Sequence, residues 1–128
     1  MIFKYNNKEE MLSLRIHDFA FAGFSYDYNE KEIYLKINND FQKKYWEIKL
    51  QKVYFTEMQS GSFWGRGSNI LGLQLSEYEK NINKLKVLEK EKKSINNIDY
   101  SKCIDFYFYF NTGDELSIVC ETVEVIEL

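Results

Sequence analysis

The chain has 128 residues, 45% of them hydrophobic and 17% aromatic, with a formal net charge of −3. This length fits one domain, residues 1–128, with apolar material for one core and no need of staples. The mild acidity argues against a nucleic-acid partner, which selects for a basic face, and two cysteines are too few for a disulfide framework.

No apolar run is long enough to span a membrane, and Ile2 and Phe3 meet Lys4 before any signal-type apolar region forms. The expectation is a cytoplasmic protein with no membrane partner. Lys outnumbers Arg 15 to 2, and Asn, Ile, Tyr and Phe are abundant. Their codons are AT-rich, which suggests a low-GC bacterial source.

In chain order, Asn7 and Glu10 have capping-box spacing ahead of Met11, Leu12, Leu14 and Ile16, and predict a short helix over 8–16. Residues 18–28 are aromatic-rich without helical spacing and read as a strand. A turn at Asn29-Glu30-Lys31 leads to Ile33, Leu35 and Ile37, whose period of two marks a half-buried strand. After a turn starting at Asn38-Asn39-Asp40, Trp46, Ile48 and Leu50 alternate in the same way. The apolar parity then flips to Val53 and Phe55, which predicts a β-bulge near Gln51 and Lys52.

Gly61, Gly65 and Gly67 make 61–69 a glycine-rich loop carrying Phe63, Trp64 and Arg66. Ile70, Leu71, Leu73 and Leu75 suggest a strand. Ser76 and Glu79 form a second capping box. Tyr78, Ile82, Leu85 and Leu88 then recur at spacings of four, three and three, predicting an amphipathic helix over 77–92; a charged loop is the competing reading. The clearest element is the last hairpin. Ile104, Phe106, Phe108 and Phe110 face one way, and Asp105, Tyr107 and Tyr109 the other. A three-residue loop with Gly113 left-handed sets Phe108 opposite Leu116 and Phe106 opposite Ile118. Cys120 then points inward and Cys103 outward, so the thiols cannot bond.

The chemistry-bearing residues are few. The single histidine, His17, has Asp18 as its sequence neighbour, but adjacent strand residues point to opposite faces. One histidine and two separated cysteines do not make a zinc site. The 61–69 loop lacks the Gly-Lys-Ser/Thr of a phosphate-binding P-loop. No catalytic, metal or cofactor residues are therefore assigned. Tyr34, Tyr45, Tyr107 and Tyr109 stand on the polar faces of their strands, and tyrosine is enriched at protein interfaces. With Trp64 and Arg66 they form the candidate partner-binding set, unless the second helix covers them.

His17-Asp18, the strand ending Tyr26-Asp27, the strand Ile33 to Ile37, Val53-Tyr54-Phe55 and Trp64-Gly65-Arg66-Gly67-Ser68-Asn69-Ile70 resemble a group of small bacterial β-rich proteins. Some members of that group are immunity proteins of polymorphic toxin systems. The likeness spans 17–75 and brings no catalytic residues with it. The acidity, the Tyr-rich faces and the absence of a catalytic site point to a non-enzymatic protein-binding module. The resemblance implies one form of it, an immunity-type inhibitor whose partner is a cognate toxin.

The expected fold is α+β and mostly β. An antiparallel sheet of about six strands curls into a sandwich or partial barrel with one or two helices packed on it. Two other functions stay open. One is a small-molecule-binding β-barrel with a cavity lined by Phe106, Phe108, Trp46 and Phe21. The other is an enzyme using His17 or Arg66. The strand edges leave a homodimer open.

Overall fold

The computed structural model describes residues 1–59, 69–92 and 97–128. Two antiparallel sheets enclose the main core. The first has the order β1 (Ile2–Phe3), β9 (Thr122–Glu127), β4 (Lys44–Gln51), β3 (Glu32–Asn39), β2 (Ala20–Asp27). The second runs β5 (Phe55–Gln59), β8 (Glu115–Cys120), β7 (Ile104–Phe110), β6 (Ile70–Leu75). Helix α1 spans Lys80–Lys92. Among the described residues, no helix is long and apolar enough to cross a membrane.

Two strand paths pass from one sheet to the other at a shared corner. β4 continues into β5, and β8 continues into β9 through Glu121. The pairs β4–β9 and β5–β8 are therefore one ribbon bent across both sheets. The corner is held by Tyr54 N–H donating to Val119 O at 2.9 Å and Glu121 N–H donating to Gln51 O at 3.2 Å. On the opposite side Ala20 bridges Asn69, and Ile70 N–H donates to Phe19 O at 2.8 Å. Of the sandwich and the partial barrel expected, the sandwich forms. The described residues make nine strands in two sheets rather than about six in one, because the chain turns a corner between sheets where the alternation reads as one continuous strand. Along the edge strand β2, Phe24 and Tyr26 stay exposed.

This corner corrects the expected bulge at Gln51 and Lys52. The parity flip is a change of sheet: Lys52 takes a left-handed φ of 52°, β4 ends, and Val53 enters the core. The period of two is equally broken by a bulge or by a corner, so sequence alone does not separate them.

The inner faces follow the alternation. Ile33, Leu35 and Ile37 meet Leu50, Ile48 and Trp46 across β3–β4, and all are buried. In the last hairpin Phe108 pairs with Leu116 and Phe106 with Ile118. Gly113 has φ +86°, and Phe110 N–H donates to Asp114 O at 3.0 Å, so the three-residue loop forms as read. The β3 strand runs two residues past Ile37, and the turn begins at Asp40 rather than Asn38.

Both helices differ at their starts. The first is a 3-10 helix, Tyr5–Ser13, beginning three residues before the expected 8–16. Asn7 does not cap it from in front; its Oδ1 accepts from Lys4 N–H at 2.6 Å, from inside the first turn. Only Met11 of this segment is buried, too sparse a stripe to hold an α-helix. At the second helix Ser76 caps no backbone group, and Tyr78 and Glu79 have φ of 53° and 49°. The helix proper starts at Lys80, and its cap comes from another element. Asp105 on β7 accepts from Asn81 N–H at 2.7 Å and Ile82 N–H at 2.9 Å through Oδ2, and from Asn81 Nδ2 at 2.9 Å through Oδ1.

That cap fixes α1 on the outer face of the second sheet. Ile82 and Leu85 form a small second core there with Cys103 and Val119. Cys103 does point away from Cys120, but it is buried beneath α1 rather than exposed, and both thiols are free.

Candidate functional site

The outer face of the second sheet is organised in three rows by strand register. The first row is Phe55, Val119 and Asp105, and α1 lies over it. The second is Glu57, Ser117, Tyr107 and Gln74. The third brings Glu115, Tyr109 and Gly72 into line. Lys84 of α1 reaches over the edge of the first row, with Nζ 3.6 Å from Glu57 Oε1. Tyr107 and Tyr109 are half-buried, with ring centroids 6.3 Å apart.

Tyr107 is held from the side and Tyr109 from beneath. Tyr107 Oη donates to Gln74 Oε1 at 2.7 Å. Tyr109 lies across Gly72, where a Cβ would stand 2.6 Å from the phenol oxygen. A glycine inside a strand marks such a close approach, and Leu71-Gly72-Leu73 is the signal in the sequence that identifies this seat. Burial, then the carboxylates of Glu115 and Glu77, raises the Tyr107 phenol above its ordinary value. The face is aromatic, anchored and acidic.

The other candidate residues lie elsewhere. Tyr34 and Tyr45 stand on the outer face of the first sheet, across the core from Tyr107 and Tyr109, so the four tyrosines do not make one patch. Tyr34 donates its hydroxyl to Glu32, and Lys49 Nζ sits 5.9 Å from its ring. Tyr45 is exposed beside the chain end, where Leu128 N–H donates to its carbonyl at 2.8 Å. Trp64 and Arg66, with the rest of 61–68, lie outside the described residues.

His17 and Asp18 correct a local expectation. They occupy a turn, not a strand, and Asp18 has φ 70°. Their side chains therefore meet, Nδ1 to Oδ2 at 2.9 Å, while both are largely exposed. They pair with each other on the exposed surface. The aromatic rings proposed to line a ligand cavity fill the core instead. Phe106 packs edge-on to Phe108 at 5.7 Å, Trp46 lies 4.8 Å from Phe19, and Phe21 packs edge-on to Phe110 at 5.6 Å.

A polar cleft of about 790 Å³ lies near the shared corner of the two sheets. Lys4, Lys52, Lys102, Glu30, Glu32 and Glu121 supply its charges, which balance. Glu32 accepts from Tyr34 and Glu121 from Tyr54, so both carboxylates are occupied as hydrogen-bond acceptors. Among the described residues, no group of three or more His, Cys, Asp or Glu side chains is placed to hold a metal ion.

These groups give the fold an alkaline limit. Burial, with Glu121 and Asp99 nearby, pushes the Cys103 thiol from 9.0 up to about 12. Burial also raises Cys120. The hydrogen bond to Glu32 pushes Tyr34 from 10.0 up to about 12, and burial and Glu121 raise Tyr54. Each folded group holds its proton more tightly than the unfolded chain does. The stabilisation is complete below the ordinary thiol value of 9.0 and is lost progressively as pH rises through about 12. The urea midpoint is expected to be level from about pH 7 to about pH 8.5 and to fall above that. A midpoint that stays level up to about pH 11 contradicts these assignments.

No protein-family model matches the chain, and a search of curated proteins found no match.

Proposed function

We propose that the chain is a non-enzymatic protein-binding module that docks its partner on the outer face of the second sheet. The observation carrying this reading is the pair Tyr107 and Tyr109, half-exposed yet each held in place, Tyr107 by the exposed Gln74 beside it and Tyr109 by Gly72 beneath it. Anchored aromatics offer contact area at low entropy cost, which is what interface hot spots use. Glu77 and Glu115 beside them favour a basic partner surface. An immunity-type inhibitor of a bacterial toxin is the form of module that the resemblance over 17–75 supports. The two free, buried thiols suit a reducing compartment, and the cytoplasm is the compartment we propose.

The test is affinity capture with the immobilised chain, followed by titration of the captured partner. Tyr107→Ala/Tyr109→Ala is expected to weaken that partner by roughly a hundredfold, as loss of two hot spots does. Gly72→Ala provides a second variant: its Cβ displaces the Tyr109 ring from its seat and leaves the ring chemistry intact. It is expected to weaken the partner about tenfold, with little change in thermal stability. Full affinity in both variants overturns this docking face.

A further inference from the structure

α1 stands as a ridge beside the two tyrosine-bearing rows, which form a lower shelf. The ridge is basic where the shelf is acidic. Along α1, Lys80, Lys84 and Val87 fall at i, i+4 and i+7, on the side opposite the buried Ile82 and Leu85. Val87 is 55% exposed, and Leu88, beside Lys84, is 38% exposed. The shelf presents Tyr107, Tyr109 and Glu115, with Glu77 close enough to act on the Tyr107 phenol.

The dimensions match as well as the charges. Adjacent rows on one sheet face are about 7 Å apart along the strands, so two rows accept one helix about 10 Å across. Ridge and shelf lie side by side on a single face. A two-fold axis between them seats each copy's ridge on the other's shelf, the arrangement of an isologous dimer. The same axis runs along α1, so the two helices are parallel.

We infer that a second copy of this chain occupies the shelf, forming a reciprocal ridge-on-shelf homodimer through α1 and the Tyr107/Tyr109 face. This rests on the docking reading above and names an occupant for that face: self-association covers the shelf until a basic partner displaces it.

The test uses sedimentation of the full chain and two charge-reversed variants, each checked for native circular dichroism. Lys80→Glu/Lys84→Glu makes the ridge acidic, and Glu77→Lys/Glu115→Lys makes the shelf basic. The native chain is expected to dimerise at micromolar concentration and to dissociate as salt is raised. Each variant alone is expected to weaken the dimer roughly tenfold or more. Mixing the two restores it, because both contacts of the mixed pair then join opposite charges. A monomeric native chain at low salt overturns the dimer, as does a dimer indifferent to both reversals or a mixture that stays monomeric. The docking reading is scored separately with the captured partner: Lys80→Glu leaves the shelf and its Lys84–Glu57 pair intact and still binds it, whereas Tyr107→Ala/Tyr109→Ala does not.

Discussion

Replacing Asp105 with alanine is expected to destabilise the fold by about 3 kcal/mol, the range for leaving buried donors without a charged acceptor. Asp105 is 6% exposed and sits in a strand among Ile104, Phe106 and Phe108. Its carboxylate accepts two backbone N–H groups from the first turn of α1 and the side-chain amide of Asn81. The first N–H groups of a helix have no partner within it, and Ser76 supplies none here. In Asp105→Ala those donors stay buried and unpaired, and the dipole of α1 loses its counter-charge. Asp105→Asn keeps one oxygen for the backbone pair and is expected to cost only about 1 kcal/mol. Urea unfolding gives both numbers. Amide exchange separates the cause: in the alanine variant, protection is expected to fall first in α1, around Ile82 and Leu85. An alanine variant as stable as the parent removes the cap from this account.

Phe106→Ala is expected to cost about 4 kcal/mol, within the range for phenylalanine truncation in a packed core. Phe106 is fully buried. It pairs with Ile118 on one side and Leu75 on the other, and meets Phe108 edge-on. The rigid sheet on which it stands limits how far neighbours can close the space left behind. Phe41 provides the contrast. It is 98% exposed in the β3–β4 turn, and Phe41→Ala is expected to change stability by less than about 0.5 kcal/mol. The midpoint should shift for Phe106→Ala without a change in denaturant slope. Equal effects of the two substitutions contradict the assignment of the core.

The strands were legible because one face of each is buried. Ile33-x-Leu35-x-Ile37 and Phe106-x-Phe108-x-Phe110 have no competing helical phase, and Gly113 supplied the turn between β7 and β8. The features that escaped sequence reading depend on residues far apart in the chain. The parity change after Leu50 marks a corner only because β8 and β9 turn at the same place. Ser76 and Glu79 have capping spacing, but the acceptor that wins lies 24 residues beyond Asn81. Tyr107 and Tyr109 were legible as a candidate face, while their separation from Tyr34 and Tyr45 follows from sheet order, which alternation does not encode. Gly72 and Gln74 were missed as the seats of the rings. The glycine between two leucines was the available sign.

The bent ribbon also sets when this protein can fold during synthesis. β9 lies between β1 and β4, and β8 lies between β5 and β7, so both sheets draw interior members from strands late in this sequence. After residue 59 has emerged from the ribosome, β4 still lacks the neighbour that covers one of its edges. Pairings this distant in sequence form late. The nascent chain therefore carries unpaired strand edges until residues 115–127 are free, and closes both sheets in one late step. Unpaired edges of this kind are prone to aggregation, so a chain halted before residue 115 is expected to be an adhesive intermediate rather than a smaller folded unit.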